Sequence, residues 1–208
     1  MSVDKVILKA ILSTLAAIGI LIVFAFVVLV AGFPGTTMEM AYDLGMEKAC
    51  IRNAKRAYKR TDDVYFIAYA TKVSIATDNH DETLYCGKKL IQDDQFAKYC
   101  SDTDAENALL AEQNKINVAF QYEQYIYGRI CVAEYALGYT QEAVEDAFAY
   151  TTGFAQNNAV VAVYYAAKGA DDNATVSKIG EKLIQVQTET FSAEEKVYYE
   201  RVLGWLNG

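Results

Sequence analysis

Polar and apolar positions divide the chain into one uncharged run near its start and a train of amphipathic segments behind it. The run covers residues 10–38, and its centre, 11–31, reads ILSTLAAIGILIVFAFVVLVA. As a helix it is apolar all the way round, which a water-facing helix does not need and a lipid-facing one does. Twenty-one residues at about 1.5 Å each cover roughly 30 Å, the thickness of a bilayer's hydrocarbon core. The run therefore predicts a single transmembrane helix over 10–33, behind a short tail over 1–9. The apolar stretch is longer than the roughly 7–15 residues of a secretory leader, and Leu29-Val30-Ala31 is a poor small-x-small cleavage site, so it reads as a signal anchor.

Pro34-Gly35, with the only proline of the chain, ends that helix and opens a linker over 34–37. The remainder, 38–208, reads as one helical domain. From 38 to about 60, Ala41, Leu44, Ile51, Ala54 and Tyr58 recur at the spacing of one helical face. Thr61-Asp62-Asp63 starts a helix over 64–75, and a polar turn at 77–82 leads into a short one ending at 91. Residues 101–104 read as the cap of a long helix over 105–137, with Leu109, Ile116, Phe120, Tyr127 and Ile130 on its buried side and Gly138 at its end. Thr140 caps a helix over 141–151. Asn157-Asn158 opens the next over 159–167, closed by Gly169, and Asp171-Asp172-Asn173 leads into 174–186. Ser192 and Glu195 form a capping box for the last helix, whose face of Val197, Tyr198, the stem of Arg201, Val202 and Trp205 is expected to cover the preceding pair.

Charge changes the picture in two ways. Residues 1–60 hold eight Lys/Arg against four Asp/Glu, and 61–208 hold eleven against twenty-three, so the distal domain carries a net −12. Nucleic-acid binding rests on clustered basic charge, and an acidic domain excludes it. Lys5, Lys9 and the amino terminus precede the apolar run and Lys48 and Arg52 follow it, which favours the amino terminus in the cytoplasm and the domain outside. Counting Lys55, Arg56, Lys59 and Arg60 reverses that preference. Together Lys48, Arg52, Lys55, Arg56, Lys59 and Arg60 form a basic stripe on one helix, suited to anionic lipid headgroups or to docking on the acidic remainder of the chain.

Candidate chemistry is sparse. His80 is the only histidine, and its neighbours Asp78, Asp81 and Glu82 read as a turn and helix cap rather than a metal site. Asp102, Asp104 and Glu106 open like a calcium loop, but Asn107 replaces its glycine and Gln113 its bidentate glutamate. No phosphate-cradling glycine loop and no Gly-x-Ser-x-Gly elbow occurs, so neither an enzyme nor a bound cofactor is expected. Cys50, Cys86, Cys100 and Cys131 read as buried thiols more than as a disulfide framework, since a chain of this size builds a core without staples.

Residues 127–150 and 158–181 overlay at an offset of 31, matching Gly138 with Gly169, Ala143 with Ala174 and Ile130 with Val161. A fixed helix-turn-helix period near thirty marks a stacked array. This pattern resembles the tetratricopeptide family, with residues 64–91 as a degenerate first copy. The match departs from the family at Asn158, where it carries an aromatic, and in lacking the closing proline. The resemblance implies an all-α helical-hairpin domain that binds protein partners. With the anchor, the layout is similar to small bacterial inner-membrane proteins that serve as ancillary subunits of secretion machinery.

Sixteen tyrosines remain to be placed. Tyr122, Tyr125 and Tyr165 are the candidate partner-binding residues, because tyrosine offers large contact area with a polar tip. The adjacent pairs Tyr164-Tyr165 and Tyr198-Tyr199 must each point one ring away from the other. A groove lined by Tyr125 and Tyr165 and rimmed by acids would favour a basic or amphipathic peptide. The expectation is a membrane-anchored interaction or scaffold module. The alternative is an extracytoplasmic domain holding a small molecule or cell-wall fragment in a tyrosine-lined pocket.

Overall fold

The computed structural model describes residues 3–114, 121–151 and 158–206, and those residues form eleven helices and no strand. In chain order they are α1 (Val3–Gly32), α2 (Pro34–Asp43), α3 (Glu47–Thr61), α4 (Val64–Ala76), α5 (His80–Ile91), α6 (Phe96–Gln113), α7 (Tyr122–Ala136), α8 (Thr140–Tyr150), α9 (Ala159–Gly169), α10 (Asn173–Ile184) and α11 (Ala193–Leu206).

Helix α1 is a single 30-residue element. Its large apolar side chains from Leu15 to Val28 are 46–69% exposed, so nothing in the fold covers them. Among the described residues no single helix is long and apolar enough to cross a membrane; Ser13–Leu29 and Pro34–Asp43 meet the requirement only as a pair, bent by 108°. The bend has a local cause. Phe33 leaves the helical region at φ −129° and ψ 66°, as a residue before proline tends to, and Pro34 starts α2 at a position where its missing N–H costs nothing. Residues 34–37, expected as a linker, are thus the first turn of a helix, and Thr37 and Met38 are already buried.

One turn geometry recurs along the domain. Gly45, Asp62, Asp78, Gly138 and Asp171 have positive φ, between 48° and 88°, and a new helix begins two residues after each, at Glu47, Val64, His80, Thr140 and Asn173. At Gly45 and Gly138 the closing hydrogen bonds are those of a Schellman cap: Met46 N to Ala41 O at 2.8 Å with Gly45 N to Tyr42 O at 2.9 Å, and Tyr139 N to Glu134 O at 2.9 Å with Gly138 N to Tyr135 O at 3.0 Å. Asp171 closes α9 in the same way, with Asp172 N reaching Ala167 O at 2.9 Å. Aspartate tolerates this left-handed backbone better than most side chains. The left-handed residues fall at 45, 62 and 78, then at 138 and 171, so helices advance by 16 or 17 residues and hairpins by 33. The offset of 31 came from pairing Gly138 with Gly169, whereas the residue in the equivalent turn is Asp171.

Two expected helices are each divided in the structure. The helix over 38–60 is split at Gly45 into α2 and α3. The long helix over 105–137 is α6 and α7: α6 begins at Phe96, so residues 101–104 lie inside it rather than at its cap, and α7 begins at Tyr122. Ile116, Phe120 and Asn157 lie outside the described residues, and Leu109 is exposed at 60%. Other signals hold. Asp63 accepts from Tyr65 N at 3.0 Å, and the Ser192–Glu195 box closes through Ser192 N to Glu195 Oε2 at 2.7 Å and Glu195 N to Ser192 Oγ at 3.2 Å. The cap of α8 is Tyr139, without a side-chain bond, and Thr140 is its first helical residue.

The helices pack in succession, α2 on α3, α3 on α4, α4 on α5, α5 on α7, α7 on α8 and α9, α9 on α8 and α10, and α10 on α11, while α6 stands aside from α5 and touches chiefly α7. That order is compatible with a helical repeat stack. Two cores run through it. The first gathers Met38, Ile51, Ile67, Leu90, Ile126 and Ile130; the second gathers Cys131, Val144, Val160, Tyr164, Ile179 and Leu183. Helix α7 belongs to both, changing sides between Ile130 and Cys131. Its passage past α5 needs Gly87, where a Cβ would stand 2.6 Å from Ile130 Cγ1. All four cysteines are buried free thiols.

A buried ion pair ties α5, α7 and α8. Lys88 Nζ lies 2.5 Å from Glu134 Oε1 and 3.5 Å from Asp146 Oδ2. The Glu134 side chain is 2% exposed against 43% for Lys88. Burial pushes the Glu134 carboxyl above its ordinary range, Lys88 pulls it back, and the charge of Asp146 pushes it up further.

Candidate functional site

Half-buried and exposed aromatic and charged side chains come together where α7, α9 and α11 meet. The sequence folds this way because small residues let α7 and α9 approach closely: a Cβ on Gly128 would sit 3.1 Å from Ala162 Cβ and 3.7 Å from Ala159 Cα. Side chains flanking that contact diverge and leave a groove of about 560 Å³. Helix α7 supplies Tyr125 and Arg129, one turn apart. Arg129 Nε is 3.4 Å from the Tyr125 hydroxyl, and its guanidinium lies over the Tyr125 ring at 5.5 Å from the centroid.

Helix α9 supplies Asn158, at its start, and Tyr165. Asn158 is fully buried, and its Oδ1 accepts from Val161 N at 2.9 Å to cap the helix. Its Nδ2 has no hydrogen-bond partner. Tyr164 and Tyr165 diverge as adjacent helical residues must: Tyr164 is 2% exposed in the second core, and Tyr165 is 53% exposed in the groove.

Helix α11 forms the third wall with Tyr198, Arg201 and Trp205, the only tryptophan of the chain. Trp205 meets the Tyr165 ring at 5.8 Å and the Tyr198 ring at 6.3 Å, centroid to centroid. The wall is fixed to α9, because the Tyr164 hydroxyl donates to Trp205 O at 3.2 Å, and to α10, because the Tyr199 hydroxyl donates to Leu183 O at 2.7 Å. Burial raises the Tyr198 phenol, as does nearby Tyr165, while Arg201 opposes them, so the ring stays neutral. Of the face expected to cover the preceding pair, Val202 is buried and Tyr198 and Trp205 are partly so. Val197 is exposed at 57%, and Tyr199 takes the inward place instead.

Two of the three candidate tyrosines, Tyr125 and Tyr165, are thus brought together from positions forty residues apart. Tyr122 touches Tyr125, ring centroids 6.2 Å apart, but does not line the groove. It packs on the first core with its ring 5.9 Å from Tyr99, and burial drives its phenol well up. The charges at the groove differ from the expected acidic rim: its lining includes Arg129 and Arg201 and no carboxylate. Arg129 drew no notice in the sequence and Arg201 only for the stem it adds to the apolar face of the last helix, because only folding brings α7 and α11 together.

The basic stripe divides by what each residue meets. Lys55 is half-buried and docks inside the domain, with Nζ 2.6 Å from Glu82 Oε2 and 4.9 Å from the centre of the Tyr85 ring. Arg56 and Arg60 line a cleft of about 350 Å³ against α1, whose walls are Phe26, Val27, Ala31 and Pro34; Arg60 Nη1 also reaches Gly32 O at 3.4 Å. Lys48, Arg52 and Lys59 are exposed. Among the described residues no cluster of His, Cys, Asp or Glu could hold a metal ion. No family model, curated protein or solved structure matches the chain.

Proposed function

We propose that this protein is a membrane-tethered interaction module: α1 anchors it and a tetratricopeptide-like stack presents a groove to a protein partner. The observation that carries the reading is the pairing of an apolar helix nothing in the fold covers with an aromatic groove at the far end of the same stack. Exposed apolar surface on that scale marks a lipid or protein contact. The hairpin step of 33 residues lies near the tetratricopeptide family's thirty-four, and small residues at the α7–α9 contact are of the kind that family uses.

At the base of α1, Arg56 and Arg60 face apolar walls, an arrangement suited to the phosphate and upper chain of an anionic lipid. Lys55 contributes to the fold instead. The favoured orientation keeps the amino terminus in the cytoplasm and the stack outside. A groove of this volume also lies within the range of small-molecule sites, which favours, as a second reading, capture of a small extracytoplasmic ligand.

Two preparations test the proposal: the full chain tagged after Gly208, and the same chain lacking residues 1–33. Membrane fractions should retain the first and lose the second, and the first should bring the same partner out of mild detergent repeatedly. Retention of the truncated chain, or repeated isolation of the full chain alone, overturns it. Protease treatment of intact cells or spheroplasts should remove the tag if the stack lies outside.

A further inference from the structure

The groove is a basic spot in an acidic domain. Residues 61–208 carry a net −12, yet the charges lining the groove are two guanidinium groups. Among the described residues neither Arg129 nor Arg201 has a carboxylate within ion-pair distance, although three other ion pairs form in the same domain. Asn158 adds a third donor. It is fully buried, lines the groove and keeps an Nδ2 without an acceptor. Buried amides almost always find a partner, so this enclosed donor at the groove wall is one that a ligand's oxygen would satisfy once the side chains over it part. Beside these donors stand the rings of Tyr165, Tyr198 and Trp205, surfaces for an apolar side chain.

Donors alone select an acceptor, and guanidinium forks match the two oxygens of a carboxylate. We infer that the groove binds an acidic segment of a protein partner, with Asp or Glu carboxylates on Arg129, Arg201 and the Asn158 amide and a neighbouring apolar side chain against Tyr165 and Trp205. This rests on the proposed interaction module and reverses the basic ligand that acidic composition suggested. The surrounding negative field repels acidic chains in general, so a ligand must bring its carboxylates to this spot to be held, which makes the contact selective.

Trp205 reports on the site directly, because no other tryptophan contributes. Full-length protein in detergent micelles is titrated with capped peptides of alternating Glu with Phe or Leu, and with the matching Gln and Lys peptides, while tryptophan emission is followed. The Glu peptide should give a saturable change and bind about tenfold or more tighter than the Gln peptide at one fixed ionic strength. Arg129→Gln with Arg201→Gln should abolish that preference, and Asn158→Ser, which keeps a cap oxygen but deletes the Nδ2 donor, should weaken the Glu peptide several-fold. Circular dichroism of each variant confirms that the helices persist, and Lys at both arginine positions should recover part of the binding.

Equal binding of the Glu and Gln peptides, tighter binding of the Lys peptide, or a preference that survives loss of both arginines overturns the acidic-ligand inference and leaves a groove that binds peptides by other means. No change in Trp205 emission with any peptide overturns the groove as an interaction site.

Discussion

Replacing Lys88 with methionine tests how the stack bears its buried carboxylate. Methionine keeps most of the lysine stem and removes only the charge that faces Glu134. Breaking a buried ion pair from one side costs about 3–5 kcal/mol, because the remaining ion is left uncompensated. Here Lys88 is the half-solvated partner, which lowers the expected loss at neutral pH to about 2–3 kcal/mol. The reverse change should behave differently. Glu134→Leu leaves a lysine already 43% exposed that can turn to water, so the expected change is within about 1 kcal/mol, and the double variant should resemble it.

The pH response follows from the direction of the shift. Glu134 is held above its ordinary value of 4.5, so between that value and its folded-state value the native protein binds a proton that the unfolded chain does not. Stability from this group therefore rises as pH falls through that window and is lost as pH rises through it. Without Lys88 the window widens upward, so the Lys88→Met deficit should shrink on going from about pH 7 to about pH 5, an effect Glu134→Leu lacks. Urea unfolding of the full chain in micelles, followed by far-ultraviolet circular dichroism, measures each quantity. A Lys88→Met loss under about 0.5 kcal/mol, or one unchanged between the two pH values, would refute the reasoning.

Three further outcomes are expected. Gly45→Ala forces a side chain into φ +66° with open space around it, so unfolding measurements should show a loss of about 1–2 kcal/mol from backbone strain, while Asp171→Gly at φ +55° should be neutral or mildly stabilising. Tyr199→Phe removes the 2.7 Å bond to Leu183 O and should cost about 1 kcal/mol in the same assay. Burial lifts the Cys86 and Cys100 thiols to about 12 and raises Cys50 and Cys131 as well, so alkylation monitored by mass should be slow in the folded protein, and all four should react promptly in denaturant. A disulfide-linked fragment after digestion would contradict that expectation.

How far the sequence could be read depended on how local each cause was. The apolar run, the Ser192–Glu195 box, the Asp63 cap and the helical class are written in residues a few positions apart, and all were legible. The period was half legible. Glycine at 138 was a clear stop signal, but its structural counterpart is Asp171, and the left-handed roles of Asp62 and Asp78 have no spelling of their own among so many aspartates. Gly45 was passed over because Ala41, Leu44 and Ile51 keep a helical rhythm across it. The groove was least legible. Tyr125 and Tyr165 could be singled out as residue types, yet Arg129 and Arg201 lie seventy-two positions apart, and which of nineteen basic residues would face the tyrosines is a property of three helices packing together.

Helix α7 carries groove residues Tyr125 and Arg129 while its side chains at Ile126 and Ile130 are locked in the core that runs back through α3 to α2. Tension on a bound partner therefore enters α7 sideways, as shear between two packed interiors, and passes down the stack to the bend at Phe33 and into α1. Packed interiors deform little, so under the proposed function the groove and the anchoring helix would move as the two ends of one stiff strut. A partner pulled away from the surface would load the 108° elbow between α1 and α2 before it stretched anything else.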